Sequence, residues 1–139
     1  MIVLDTNVLS ELMRPQPAEN VLRWLATQSP TAVFTTTVTQ AEILFGLALL
    51  PEGRRRTGLL IAAEQMFEED FVRRVLPFDA AAAREFALVA AGKRQLGRSI
   101  GSFDAQIAAI ARSHGAAVAT RNRVDFQDCG LTLIDPWEH

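Results

Sequence analysis

Met1-Ile2-Val3-Leu4-Asp5-Thr6-Asn7 opens the chain with four apolar residues that give way at once to three polar ones. An apolar run without polar alternation is a strand buried on both faces, the kind that sits at the centre of a parallel sheet. An acid ending such a strand is desolvated unless something neutralises it. Asp5 is therefore the first candidate for chemistry.

Working outward, a short helical piece over residues 8–13 is followed by Pro15-Gln16-Pro17 and a helix over 17–28, where Val21, Trp24 and Leu25 recur at helical spacing. A second strand is expected over 32–35. Thr37-Val38-Thr39-Gln40 matches a capping box for a helix reaching about Leu50, with Glu42 in its early turns. Leu60, Ala63, Phe67 and Phe71 mark one face of a helix that begins after Arg54-Arg55-Arg56. A strand over 75–78 follows, and Asp79 is placed to cap an alanine-rich helix ending near Gln95. Ser102 is expected to cap the next helix, whose first turn holds Asp104 and which His114-Gly115 closes. Residues 117–120 read as a strand, 121–128 as a polar loop and 131–134 as a last strand. Strands alternating with helices make an α/β domain with a central, mostly parallel sheet flanked by helices, and 139 residues suit a single domain over 1–139.

Composition narrows the function classes. Fourteen basic residues against sixteen acidic ones leave a formal charge of −2, so a polyanion would need a local basic patch. The single cysteine, Cys129, excludes an intrachain disulfide and favours a reducing compartment, with cytoplasm as the expectation. No basic leader with a cleavage site opens the sequence, and no apolar run approaches the ~20 residues of a spanning helix, so no membrane association is expected. One cysteine and two histidines, His114 and His139, cannot build a tetrahedral zinc site or a histidine-based triad.

In open parallel sheets ligands gather at the carboxyl ends of the strands. Asp5 ends the first strand, Asp125 lies in the loop after the strand over 117–120, and Glu42 and Asp104 occupy early helical turns that face the same rim. Singly, Asp104 reads as a helix-dipole acid, Glu42 as a surface glutamate and Asp125 as a turn residue. Together, close carboxylates either shift their protonation or bind a cation, and all-oxygen ligands select Mg²⁺ or Mn²⁺.

Four motifs in order then resemble the PIN-domain ribonucleases, and within them the VapC-type toxins of toxin–antitoxin pairs. They are Ile2-Val3-Leu4-Asp5-Thr6-Asn7 with Ser10-Glu11, Thr37 through Ala41-Glu42 with Gly46, Phe103-Asp104 with Ile107-Ala108, and Thr120-Arg121-Asn122-Arg123 with Asp125-Phe126. The resemblance implies Asp5, Glu42, Asp104 and Asp125 as catalytic acids, with Asp5 and Asp104 the direct magnesium ligands. It leaves Asn122 as the alternative occupant of the fourth position. It also implies Thr6, Thr120 and Asn122 as supporting groups and a metal-dependent endoribonuclease in which Glu42 or Asp125 takes a proton from the attacking water.

Arg121, Arg123 and Arg98 are the candidate RNA phosphate contacts, whereas Lys93 and Arg94 read as solvated surface and Trp24 and Trp137 as packing or dimer residues. Arg14-Pro15-Gln16-Pro17, Leu76-Pro77-Phe78-Asp79 and Asp135-Pro136-Trp137 resemble the fast-intracellular-trafficking protein B subgroup. That likeness implies a homodimer and a ribbon-helix-helix antitoxin through which alone operator DNA is bound. The competing expectation is a largely non-catalytic subunit that dimerises, binds such an antitoxin and strengthens its grip on the operator.

Overall fold

The computed structural model describes all residues from Met1 to His139. Its framework is one five-stranded sheet built from β1 (Ile2–Leu4), β2 (Val33–Thr36), β3 (Val75–Leu76), β4 (Ala117–Ala119) and β5 (Leu133–Ile134). The order is β3-β2-β1-β4-β5 and every pairing is parallel, so the sheet is wholly rather than mostly parallel. Each connection has to cross back over the sheet, and the helices that do so cover both faces.

Those helices are α1 (Thr6–Leu12), α2 (Glu19–Ala26), α3 (Thr37–Ala48), α4 (Arg54–Gln65), α5 (Ala80–Gln95), α6 (Ser102–Ser113) and α7 (Arg123–Phe126). Successive residues of β1 serve opposite sides, as the two-residue period of a strand demands. Val3 joins one apolar cluster with Val118, Val89, Ile107 and Ile110 from β4, α5 and α6. Leu4 joins the other with Val8, Val21, Trp24 and Phe67. Both β1 residues are fully buried, as expected of a central strand. No helix is long and apolar enough to cross a membrane.

Local signals hold at some helix ends and move at others. Asp79 caps α5 by accepting from the Ala82 N–H at 3.0 Å. Asp79→Ala is expected to cost about 1 kcal/mol of stability, measured by urea denaturation, because it strands an amide at the helix start. The cap of α3 is Thr36, not Thr37. Its hydroxyl takes the Thr39 N–H at 3.0 Å, because the last residue of β2 already has the extended backbone that a cap needs. Ser102 is not a cap either. Gly101 fills that position without a side-chain bond, and the Ser102 hydroxyl accepts from Gln106 Nε2 at 3.3 Å.

Helix α4 starts at Arg54 itself and passes into a wider π turn over Met66–Asp70, which carries Phe67 into the core. The stretch expected to be a loop over 121–128 contains α7, since Phe126, 1% exposed, has to be anchored in the first cluster. Lys93 departs furthest from its sequence reading: it is 2% exposed, beside Cys129, whose thiol its charge reaches.

The strand order decides where a site can form. The chain steps outward from β1 to β2 and β3, then returns across the sheet through α5 and α6 to β4 on the other side of β1. The reversal falls between β1 and β4, where connections leave in opposite directions and open a crevice at the carboxyl ends. Leu4 pairs with Ala119, so the next residues, Asp5 and Thr120, stand side by side at that crevice.

Candidate active site

Asp5 is 3% exposed and tied down on all sides. Its own N–H donates to the Ala119 carbonyl at 2.9 Å. One carboxylate oxygen accepts the Thr6 N–H at 2.8 Å, and the other accepts the Thr120 hydroxyl at 2.8 Å and Asn7 Nδ2 at 3.2 Å. Thr120 has one hydroxyl proton, given to Asp5, so it serves as acceptor toward the Asn122 N–H at 2.9 Å and Asn7 Nδ2 at 3.3 Å. Asn122 in turn donates its side-chain amide to Asp125.

Glu42 is held by the same logic. Helix α3 brings it to α1, where the Thr6 hydroxyl donates to Oε1 at 2.8 Å. Having spent its proton, Thr6 accepts from the Thr39 hydroxyl 3.0 Å away. Asp104 enters from the first turn of α6, near the Asp125 carboxylate.

The four acids therefore feel one another. Burial, followed by the charges of Asp5, Asp125 and Glu42, pushes the Asp104 carboxyl up to about 7. The Asp5 carboxyl is also raised, with burial outweighing the opposing bonds from Thr120 and Thr6 and the charges of Glu42 and Asp125 adding to it. None of the four is ion-paired. The ion pairs of the molecule are Glu11–Arg14, Asp128–Arg98, Glu85–Arg112 and Glu138–Arg123.

A cleft of about 570 Å³ opens above this group, with Asp5, Glu42 and Asp104 in its wall. An all-oxygen, uncompensated donor set fits a hard divalent cation. No three of the acids form a ready-made cage. Mg²⁺ usually keeps several waters and takes only one or two protein carboxylates, so the arrangement suits it.

Of the arginines singled out in the sequence, Arg121 lines the cleft, whereas Arg123 pairs with Glu138 and Arg98 with Asp128. Sequence reasoning overlooked Asn7, the crossbrace between β1 and β4, although an amide two residues after a strand-ending acid is a signal in itself. It also overlooked Thr39, Glu11 and Arg14, and Trp137, read as a packing or dimer residue, does pack against the second apolar cluster but lines the cleft as well.

The PIN-domain family model matches residues 2–129, nearly the whole sheet and the entire acid cluster. The chain belongs to the PIN-domain family. Within it this PIN domain stands with VapC and FitB proteins. It is 44% identical over 138 residues to VapC ribonuclease Y4jK of Sinorhizobium fredii, covering 99% of each chain. It is 38% identical over 137 residues to toxin FitB of Neisseria gonorrhoeae, again covering 99% of each. The solved structure of FitAB bound to an IR36 DNA fragment superposes with a TM-score of 0.91 at 38% identity, over 99% of this chain and 96% of that one.

Proposed function

We propose that this PIN domain is the toxin of a toxin–antitoxin pair and acts as a divalent-metal-dependent endoribonuclease. The observation that carries the reading is the set of four carboxylates, Asp5, Glu42, Asp104 and Asp125, gathered at the sheet's switch point with none of them in an ion pair. Keeping like charges together this way is unfavourable, and it is worthwhile where a bound cation repays it.

Asp5 and Asp104 would hold Mg²⁺ or Mn²⁺. When bound, such an ion lowers the pKa of water and neutralises charge on a phosphoryl oxygen. The protein's own groups do the rest. Thr120 and Asn7 fix the Asp5 carboxylate, and Thr6, backed by Thr39, fixes Glu42. Asp125, oriented by Asn122, or Glu42, oriented by Thr6, takes the proton of the attacking water. Arg121 meets the phosphate backbone, while Arg98 and Arg123 serve as outer contacts that must first leave their acid partners.

The likeness to toxin FitB, whose FitAB assembly is solved on DNA, supports a homodimer that binds a ribbon-helix-helix antitoxin and meets operator DNA through that partner. The same likeness supports a cytoplasmic, single-domain protein. A largely non-catalytic subunit would have no use for four unpaired acids, three of them, Asp5, Glu42 and Asp125, held by hydroxyls or amides.

The test is direct. The purified, antitoxin-free chain incubated with end-labelled RNA should produce discrete fragments with Mg²⁺ or Mn²⁺ and none with EDTA. Intact RNA under both metals would sink the reading.

A further inference from the structure

Trp137 has no role in the chemistry described so far, yet it stands in the wall of the acid cleft. It belongs to a single 3₁₀ turn, Pro136–Glu138, at the end of the chain, and that turn is docked from several directions. The Trp137 N–H donates to Asp135 Oδ1 at 2.9 Å, its carbonyl accepts from Asn20 Nδ2 on α2, and Pro136 is buried. The neighbouring His139 ring lies 6.5 Å from Trp24, which is itself buried in the core. An indole held this firmly is a rigid surface.

Arg121 lies on that surface, its guanidinium carbon 4.9 Å from the centre of the Trp137 ring. Its main chain is fixed as well, since the Arg121 N–H donates to Asn7 Oδ1 at 3.3 Å and Asn7 reaches Asp5. The other arginine of the cleft, Arg14, is taken by Glu11, and Arg98, Arg112 and Arg123 are likewise taken by acids. Arg121 makes no carboxylate contact. An aromatic face holds a cation without using its N–H donors, so the whole fork of Arg121 stays available to an anion.

We infer that Trp137 is a positioning residue: it holds Arg121 beside the carboxylates as a clamp for one phosphate of the RNA strand. The inference rests on the ribonuclease reading above. It gives the cleft an opposite charge on one wall, so that the substrate's phosphate is met by a cation while the acids face the reacting position. A phosphate contact specifies position rather than sequence, so the clamp serves any RNA the cleft admits.

The test compares Trp137→Leu, Trp137→Phe, Arg121→Ala and the Trp137→Leu/Arg121→Ala double variant in metal-dependent cleavage of an end-labelled, single-stranded RNA. Binding of the same RNA is measured across salt in an Asp104→Asn background, which prevents turnover. Trp137→Leu should raise KM about three- to tenfold with kcat within about twofold, and Trp137→Phe, which keeps a weaker π face, about two- to threefold. Arg121→Ala should raise KM at least as much and reduce the slope of log Kd against log salt by about 0.7, as expected for one lost phosphate contact on a single strand.

The deciding arm is the double variant, in which Trp137→Leu should add no further loss because it acts through Arg121. Multiplicative losses, or a kcat that falls together with the melting temperature, would mean that Trp137 serves only the fold. Should Trp137→Leu fail to fold, the same cycle run with Trp137→Phe decides. Active wild-type protein with KM and salt slope unchanged in Arg121→Ala overturns this inference alone, whereas inactive wild-type protein overturns the ribonuclease reading with it.

Discussion

Asp104→Asn is expected to reduce metal-dependent RNA cleavage on the order of 10²- to 10³-fold while leaving the protein at least as stable as the wild type. The loss follows from removing one of two carboxylates proposed to hold the cation, at a site where preorganised charge is typically worth that much in rate. The unchanged or raised stability follows from the geometry. Asp104 suffers from burial and from Asp5, Asp125 and Glu42, and its only close polar partner is the Asp125 carboxyl. An asparagine of the same shape carries no charge and can donate to Asp125, so the repulsion disappears. Asp5→Asn should lose a similar amount of activity. It sits in a tighter web of donors, so its melting temperature is the less informative of the two. Cleavage rates and thermal melts of both variants test this together. Asp104→Asn retaining more than a tenth of the wild-type rate would refute its assignment as a metal ligand.

The second large effect joins pH to metal. The carboxyl of Asp104 titrates near 7 in the folded protein against 3.8 in a model peptide, so between these values the folded chain holds more protons than the unfolded one. Stability from this group is therefore fully present below about pH 4 and is lost as pH rises through about 7. A divalent cation reverses the trend, because it replaces the proton on Asp104 and is favoured as that carboxyl ionises. At a hundredfold excess over its Kd, a cation that binds only the folded state adds about 2.7 kcal/mol, or on the order of 10 °C in a domain this size.

The expected outcome is a melting temperature that rises by several degrees with Mg²⁺ or Mn²⁺ at pH 8 and hardly at pH 5. The cation effect should vanish in Asp104→Asn. Taking wild type minus Asp104→Asn at each pH isolates this group from the other acids of the chain. A cation effect of equal size at pH 5 and pH 8 would place the ion elsewhere.

What the amino-acid order determined by itself is the alternation of strands and helices, α7 and the π turn excepted, and which acids meet at the rim. Met1 to Leu4 reads as a central strand because no polar residue interrupts it, and Asp79 reads as a cap because a carboxylate before an alanine-rich run has few other uses. The rim that gathers Asp5, Glu42, Asp104 and Asp125 follows from parallel strands joined by helices, which place every strand's carboxyl end on one side.

Tertiary structure decided the rest, through contacts between segments set apart in the chain, by 15 residues for Arg123 and Glu138 and by 113 for Asn7 and Thr120. Whether Thr36 or Thr37 caps α3 depends on where β2 stops pairing. Whether Lys93 is solvated depends on what covers α5. That Asn7 braces β4, that Arg98 and Arg123 meet acids while Arg121 does not, and that the terminal Trp137 reaches the cleft are matters of packing in space. Local sequence carries the propensity of each segment and the chemistry of each side chain. The partner each side chain finds is set by the strand order, because only the β1–β4 junction brings residues 5, 7, 120 and 121 within hydrogen-bonding reach.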